Sequence, residues 1–236
     1  MSRFRAVFTN RHAVLPIIHV VSREQALRNV EISLASGADG AFLISHGAIS
    51  DDELLTIYGD ARAAQPGFWL GINCLSLRPQ ALFAHLPPGT QGAWVDDATI
   101  DECSAHQPAA ARIQAAQQAH GWEGLYFGGV AFKYQRPVRD LAGAARCAAP
   151  WMDVVTTSGP GTGQAASPAK VRTMKEALNG FPLGLASGVT PENVNDYLPW
   201  TDALLVSTGI SYDFDELDPA RVRDLVRVVR DWRAPV

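Results

Sequence analysis

The sequence predicts a single domain folded as an eight-stranded parallel (β/α)8 barrel, a TIM barrel, and three observations point to it. Eight short apolar, β-rich runs alternate with eight amphipathic stretches, the spacing of parallel strands joined by helical crossovers. Six of the eight expected helices carry proline in their first turn, where its missing N–H would have no intrahelical partner. The 236 residues suit one barrel of this kind, which needs about 250.

Residues 1–12, with Arg3, Arg5 and Arg11, read as a solvated arm. Strand one is expected at 14–21, followed by a helix whose Ser22 and Gln25 have capping-box spacing. Strand two (40–44) leads to a helix opened in the same way by Ser50 and Glu53. Strands three (68–74), four (92–95) and five (125–132) precede helices starting at Pro79, Pro108 and Pro137, behind the poor caps Arg78, Gln107 and Arg136. Strands six (153–157), seven (182–186) and eight (203–207) precede Pro168, Pro191 and Pro219, behind the good caps Ser167, Thr190 and Asp218. Gly37, Gly67, Gly89, Gly121 and Gly180 are expected to end helices. Runs this short and continuously apolar suit strands covered on both faces. An open doubly wound sheet is the alternative, since a repeat of units does not by itself show closure.

Composition narrows the function. Hydrophobic residues make up 47% and charged residues 19%, enough for a large core. A net charge of −4 without clustered Lys and Arg argues against a nucleic-acid groove. No apolar run approaches the roughly 20 residues of a membrane span. Cys74, Cys103 and Cys147 are odd in number and lack CxxC spacing, which fits incidental thiols in a cytoplasmic protein. A homo-oligomer is allowed by the modest charge, with Trp151, Trp200 and Trp232 as the aromatic residues that an interface would use.

In this fold the chemistry lies on the loops after the strands. Loop seven reads Ser187-Gly188-Val189-Thr190-Pro191 and loop eight Ser207-Thr208-Gly209. Glycine lets backbone N–H groups approach an anion, hydroxyls add donors, and a helix N-terminus behind them adds positive potential. Ser187, Gly188, Ser207, Thr208 and Gly209 are therefore the expected phosphate contacts, although tight strand-to-helix turns use the same residues. The loop Gly159-Pro160-Gly161-Thr162-Gly163 lacks GK[ST] and is no Walker loop; its small side chains suit a mobile lid.

The stretch Asp153-Val154-Val155-Thr156-Thr157-Ser158-Gly159, with Ser187-Gly188-Val189-Thr190-Pro191-Glu192-Asn193-Val194, resembles the BtpA/SgcQ family, which is placed among the ribulose-phosphate-binding barrels. His19, Asp39-Gly40, Gly71-Ile72-Asn73 and Lys133 fit the same pattern, so the resemblance runs through nearly the whole chain. It departs where Ser45-His46 stands for the usual Glu-Asn, where Val20-Val21-Ser22 replaces a Pro- and Gly-rich loop, and where Ser211 and Tyr212 stand near an expected lysine. The resemblance implies the fold and a phosphate site. Because BtpA-type members are linked to photosystem I biogenesis, it also allows a non-enzymatic assembly or regulatory role.

Lys133, Asp96 and His19 are the expected catalytic groups. A lysine in an apolar barrel mouth serves as base, Schiff-base nucleophile or anion-binding cation; the plain alternative is a solvated rim residue. Asp96 and Asp97 are adjacent and point to opposite strand faces, so only one can face Lys133 as a proton-transfer partner. His19 reads either as a proton shuttle or as a satisfied core histidine. His46, Asn73, Thr157 and Ser158 are the expected substrate contacts. No cofactor is expected. A divalent metal on His19, His46 and one aspartate is the least supported reading, since neither HxH nor HExxH spacing occurs. The functions that follow are an enzyme for a small sugar phosphate or phosphoribosyl-type compound (an isomerase, lyase or glycosyl-transfer enzyme), a ligand-sensing regulator, or a metal-dependent barrel hydrolase.

Overall fold

Strands that must hydrogen-bond on both edges and pack on both faces leave no place for solvent, and all eight strands here are buried along their whole length. In the computed structural model, which describes residues 2–234, they are β1 (Ala13–Val20), β2 (Gly40–Ser45), β3 (Trp69–Asn73), β4 (Gly92–Val95), β5 (Leu125–Gly129), β6 (Val154–Ser158), β7 (Leu183–Ala186) and β8 (Ala203–Val206). All are parallel and pair in chain order, and β8 returns to β1 with Ala13 opposite Ala203, so the sheet closes into a barrel. The open-sheet alternative is excluded.

Alternation along the strands separates two cores. The inner one is aromatic: Phe42 packs against Trp69, Trp94 and Phe127 with ring centroids 5.3, 5.7 and 5.1 Å apart. Gly71 and Gly92 face these rings, and a Cβ on either would lie 2.3 Å from the Phe42 or Trp69 ring. The outer core joins the other strand faces to the helices, through residues such as Leu43, Ile72, Val155 and Leu225.

The helices are α1 (Arg3–Val7), α2 (Arg23–Ala35), α3 (Asp51–Ala64), α4 (Pro79–Leu82), α5 (Pro108–Ala119), α6 (Leu141–Ala148), α7 (Pro168–Leu178) and α8 (Pro219–Asp231). Ser22, Ser50, Ser167 and Asp218 cap α2, α3, α7 and α8 as their side chains suggest, each accepting a backbone N–H of the first turn. Two starts differ. Unit five begins its helix at Leu141, capped by Asp140, because the segment after Pro137 is spent on the fifth loop. Unit seven has no α-helix after Pro191. Two 3-10 turns, Val194–Asp196 and Leu198–Trp200, make the connection from β7 to β8 instead.

The N-terminal segment is not a solvated arm. Ser2 caps α1, and Phe4 and Phe8, 0% and 3% exposed, close the N-terminal end of the barrel. Phe8 meets Trp69 edge-on at 5.0 Å, and Arg3 and Arg5 pair with Asp153 and Asp202. Trp200 and Trp232 are half-buried under Arg172 and Arg11, and Trp151 packs on the outer core. These three tryptophans do not form an exposed apolar face. No helix of the described residues is long and apolar enough to cross a membrane.

Candidate active site at the barrel mouth

Inward-facing positions at the C-terminal ends of the strands supply the site. His19 ends β1, Asn73 ends β3 and Asp96 follows β4, all on the inner face set by the strand period of two. Asn73, 1% exposed, donates from Nδ2 to Asp96 Oδ1 at 3.0 Å. Burial raises the Asp96 carboxyl above the ordinary aspartate range, while the Lys133 charge and the Asn73 hydrogen bond pull it back. Its neighbour Asp97 faces out, and its carboxylate accepts the Thr99 N–H at 2.8 Å.

Lys133 reaches the mouth from a loop rather than from a strand end. β5 stops at Gly129, three residues earlier than expected, because the chain there runs against β4: a Cβ on Gly129 would lie 1.9 Å from the Asp96 carbonyl oxygen. The loop then turns through Ala131 and Tyr134 at φ of +49° and +63°, conformations that cost an L-residue about 1–3 kcal/mol and need bracing. Gln135 supplies the brace, accepting the Phe132 N–H and donating to the Asp96 and Gly129 carbonyls. The Lys133 N–H donates to Ser158 Oγ at 2.7 Å, and its Nζ donates to Thr162 Oγ1 at 3.2 Å.

His19 is 7% exposed and stacks on Phe214, centroids 4.0 Å apart and planes 9° apart. Its Nδ1 lies 2.9 Å from the Phe214 carbonyl oxygen. A carbonyl only accepts, so Nδ1 carries the proton and Nε2 is left as an acceptor. Ser207 Oγ lies 3.3 Å from the same Nδ1. The exposed His46 ring is 5.3 Å from His19 and 4.8 Å from Phe214. Burial, first of all, lowers the His19 pKa to about 4, with the His46 and Lys133 charges adding and the Phe214 hydrogen bond opposing. The imidazole is therefore neutral at pH 7. The unfolded chain, with an ordinary histidine near 6.5, binds a proton that the fold refuses until about pH 4. Unfolding takes up that proton, so His19 contributes stability that is present above about pH 6.5 and lost as pH falls toward 4, at most about 3 kcal/mol. Urea unfolding at pH 7 and pH 4.5 measures it. The wild type should lose more stability between the two than His19→Asn, and equal losses would remove histidine burial as the cause.

Two expected substrate contacts sit elsewhere. Thr157 shares the outward face of β6 with Val155, is fully buried, and donates to the Ala131 carbonyl. Ser158 points inward but is fully buried, its hydroxyl held between the Lys133 N–H and the Gly159 carbonyl. The inward residue of that pair of threonines is Thr156. Its hydroxyl and the Trp94 indole N–H are buried without a hydrogen-bond partner among the described residues. Phe214 is a site residue that motif reading passes over, because it lies in an irregular loop eight residues past β8; Thr156 lies within the strand-six stretch, where Thr157 is the expected contact.

Loops seven and eight close the other side of the mouth. Gly188 has φ +68° and Ser187 +69°. A Cβ on Gly188 would lie 2.2 Å from the Ala165 nitrogen, and one on Gly209 would lie 1.9 Å from the Val189 carbonyl oxygen. These glycines therefore pack loop six, at Ala165, against loop seven and loop seven against loop eight. The backbone N–H groups of Gly188, Thr208 and Gly209 make no hydrogen bond to another group of the described residues. No α-helix starts behind either turn: loop eight enters the 3-10 turn Thr208–Ile210, so the donors are single N–H groups rather than a helix end. Arg221 is engaged with the Gly209 carbonyl and Glu192.

Among the described residues, the group of three close enough to share a metal ion is Asp101, Glu102 and Cys103, where Arg136 already pairs with both carboxylates. His19, His46 and Asp96 are not brought together in that way. Burial pushes the Cys74 thiol up to about 12, which makes it inert. A cleft of about 740 Å3 lies at the opposite end of the barrel, between α1, Trp69 and Trp122, away from the residues of the mouth.

This arrangement defines a (β/α)8 barrel with a polar, partly desolvated mouth. No protein-family model and no curated protein sequence matches the chain. Solved barrels do. The chain is similar to (S)-3-O-geranylgeranylglyceryl phosphate synthase from Thermoplasma acidophilum, solved with sn-glycerol-1-phosphate (TM-score 0.70, 14% identity, 98% of this chain and 100% of that one). It is similar to the tryptophan synthase alpha subunit of Legionella pneumophila (0.70, 13%, 98% and 100%) and to phosphoribosyl anthranilate isomerase from Thermus thermophilus (0.61, 17%, 94% and 100%). At these identities the likeness establishes the fold.

Proposed function

We propose that the protein is an enzyme acting on a small phosphorylated sugar or phosphoribosyl-type compound, with the phosphate on loops seven and eight and the chemistry between Asp96, Lys133 and His19. The observation that carries this reading is the pairing of two features across one mouth. On one side stand unpaired N–H groups of Gly188, Thr208 and Gly209 beside the hydroxyls of Ser187, Ser207 and Thr208. On the other stands a half-buried carboxyl whose proton affinity is raised, within the field of a lysine. The first suits a phosphate, which backbone amides hold without a cation. The second suits proton transfer at a carbon or oxygen of the attached sugar. Thr156 and Trp94 would give hydrogen bonds to the ligand's inner end, and Phe214 with His46 would wall its outer side.

Two of the similar barrels are named for phosphorylated compounds: a glyceryl phosphate synthase, solved with glycerol 1-phosphate, and a phosphoribosyl anthranilate isomerase. They support the ligand class. The resemblance of residues 153–159 and 187–194 to BtpA/SgcQ proteins supports it too. A panel of sugar phosphates and their unphosphorylated sugars, read by thermal shift and followed by turnover assays, tests the reading. Phosphorylated members should raise Tm and unphosphorylated ones should not. Equal shifts from both, or none, would overturn it.

A further inference from the structure

We propose that the ε-amino group of Lys170 is a nucleophilic amine that captures small aldehydes or ketones as imines in the cleft between βα loops five and six.

The chain has three lysines, Lys133, Lys170 and Lys175, and two of them line this one cleft. Its volume is about 290 Å3, room for a molecule of roughly ten non-hydrogen atoms at about 30 Å3 each. Phe132, Pro137, Val138, Leu141 and Pro160 share its walls with Lys133, Tyr134, Gln135 and Arg136, and no carboxylate lines it. Lys170 comes from the first turn of α7 and is half-buried.

Its nitrogen has two hydrogen-bond partners, the carbonyl oxygens of Ala131 at 2.5 Å and Ser158 at 2.7 Å. It makes no ion pair among the described residues. A neutral amine has two N–H donors and one lone pair. Two carbonyls therefore satisfy both donors of the neutral form and leave the lone pair for an incoming electrophile, whereas an ammonium would have a third donor to place. Accepting carbonyls also favour the charged ammonium, and it is burial that works against it, lowering the pKa to about 8. At pH 7 about one-tenth of such an amine is neutral, against about one part in 3,000 for an ordinary lysine at 10.5, a gain of about 300-fold. Lys175 is the opposite case, ion-paired to Asp202 at 2.5 Å. Lys133 lines the rim of the cleft, and Arg136 there is held by Asp101 and Glu102.

In the reaction the nitrogen lone pair adds to the carbonyl carbon, and a proton passes from nitrogen to the oxygen to give a carbinolamine. The C–O bond then breaks, and the oxygen leaves as water with the second amine proton. One C=N bond replaces one C=O bond, one water is released, and no electrons are exchanged with another reagent. The neutral imine has no N–H; once it takes up a proton from solvent it offers one N–H to one of the two carbonyls, so loops five and six stay bridged.

Reductive trapping tests this on the intact protein. Glyceraldehyde and sodium cyanoborohydride at pH 7, with peptide mapping by mass spectrometry, read each lysine and the α-amino group separately. Lys170 should be alkylated at least about ten times faster than Lys133 and Lys175, and Lys170→Arg should remove the fast adduct. Comparable rates at the three lysines, or faster labelling of either other one, would overturn the proposal. The ratio is measured within the wild-type protein, so it stands even if the variant folds poorly. Glyceraldehyde carries no phosphate, so the outcome is separate from the fate of the phosphate reading.

Discussion

Replacing Lys133 by Met should lower kcat/KM on the phosphorylated substrate by at least about 100-fold while leaving the fold intact. The size follows from losing a group that moves a proton or stabilises developing charge, each worth about two or more orders of magnitude. The fold is spared because the side chain is half-exposed at the rim and its polar partner is the single hydroxyl of Thr162. The loop is set by the backbone instead, through the Lys133 N–H on Ser158 and the Gln135 brace, and neither uses the ammonium. A stability change within about 0.5 kcal/mol is expected by urea unfolding. Lys133→Arg should also fail, because a guanidinium keeps the charge but does not give up a proton. Full turnover in the Met variant would reduce Lys133 to a rim residue.

The second large effect is expected at Gly188. Gly188→Val should cost at least about 100-fold in affinity for ribose 5-phosphate by calorimetry, for two structural reasons. The residue has φ +68°, which a β-branched side chain tolerates badly, and its Cβ would drive into the Ala165 backbone at 2.2 Å. Loops six and seven must then separate, carrying the Gly188 N–H with them. Ser187→Gly is the matched control. It relieves the strain at φ +69° and keeps the backbone donors, so affinity should stay within a few-fold. Retained binding in Gly188→Val, or loss of binding in Ser187→Gly, would remove backbone N–H groups from the account of the site.

The barrel was legible because its signals are local and repeated. Apolar runs, capping serines and first-turn prolines each report a few residues of chain, and their eightfold recurrence carries the topology. What was not legible depended on contacts distant in sequence. The N-terminal arginines suggested a solvated arm, yet Phe4 and Phe8 find the open end of the barrel only once the ring has closed. Thr157 and Thr156 differ by one position, and with a period of two a one-residue uncertainty in where β6 faces inward exchanges the ligand side for the helix side. The apolar pattern of Val130 and Phe132 carries strand five to 132 and sets Lys133 just past its end. The chain leaves the sheet at Gly129 to pass the Asp96 carbonyl, a steric fact of β4 rather than of β5. Phe214 and Lys170 carry no motif at all. One reaches His19 across 195 residues, and the other reaches two loop carbonyls from a helix start that looks like any other.

The glycines of loops seven and eight show the same limit from the other side. Their positions were readable as turn residues suited to an anion, but their packing was not. Gly188 fits against loop six and Gly209 against loop seven, so the three loops form one unit whose free N–H groups are set by mutual contact. A crystal soaked with ribose 5-phosphate tests that unit as a phosphate site. The phosphate should lie within hydrogen-bonding distance of the Gly188 and Gly209 N–H groups, with the sugar directed toward Asp96 and Lys133. A phosphate bound at saturating ligand anywhere else on the barrel, or none bound at all, would contradict it.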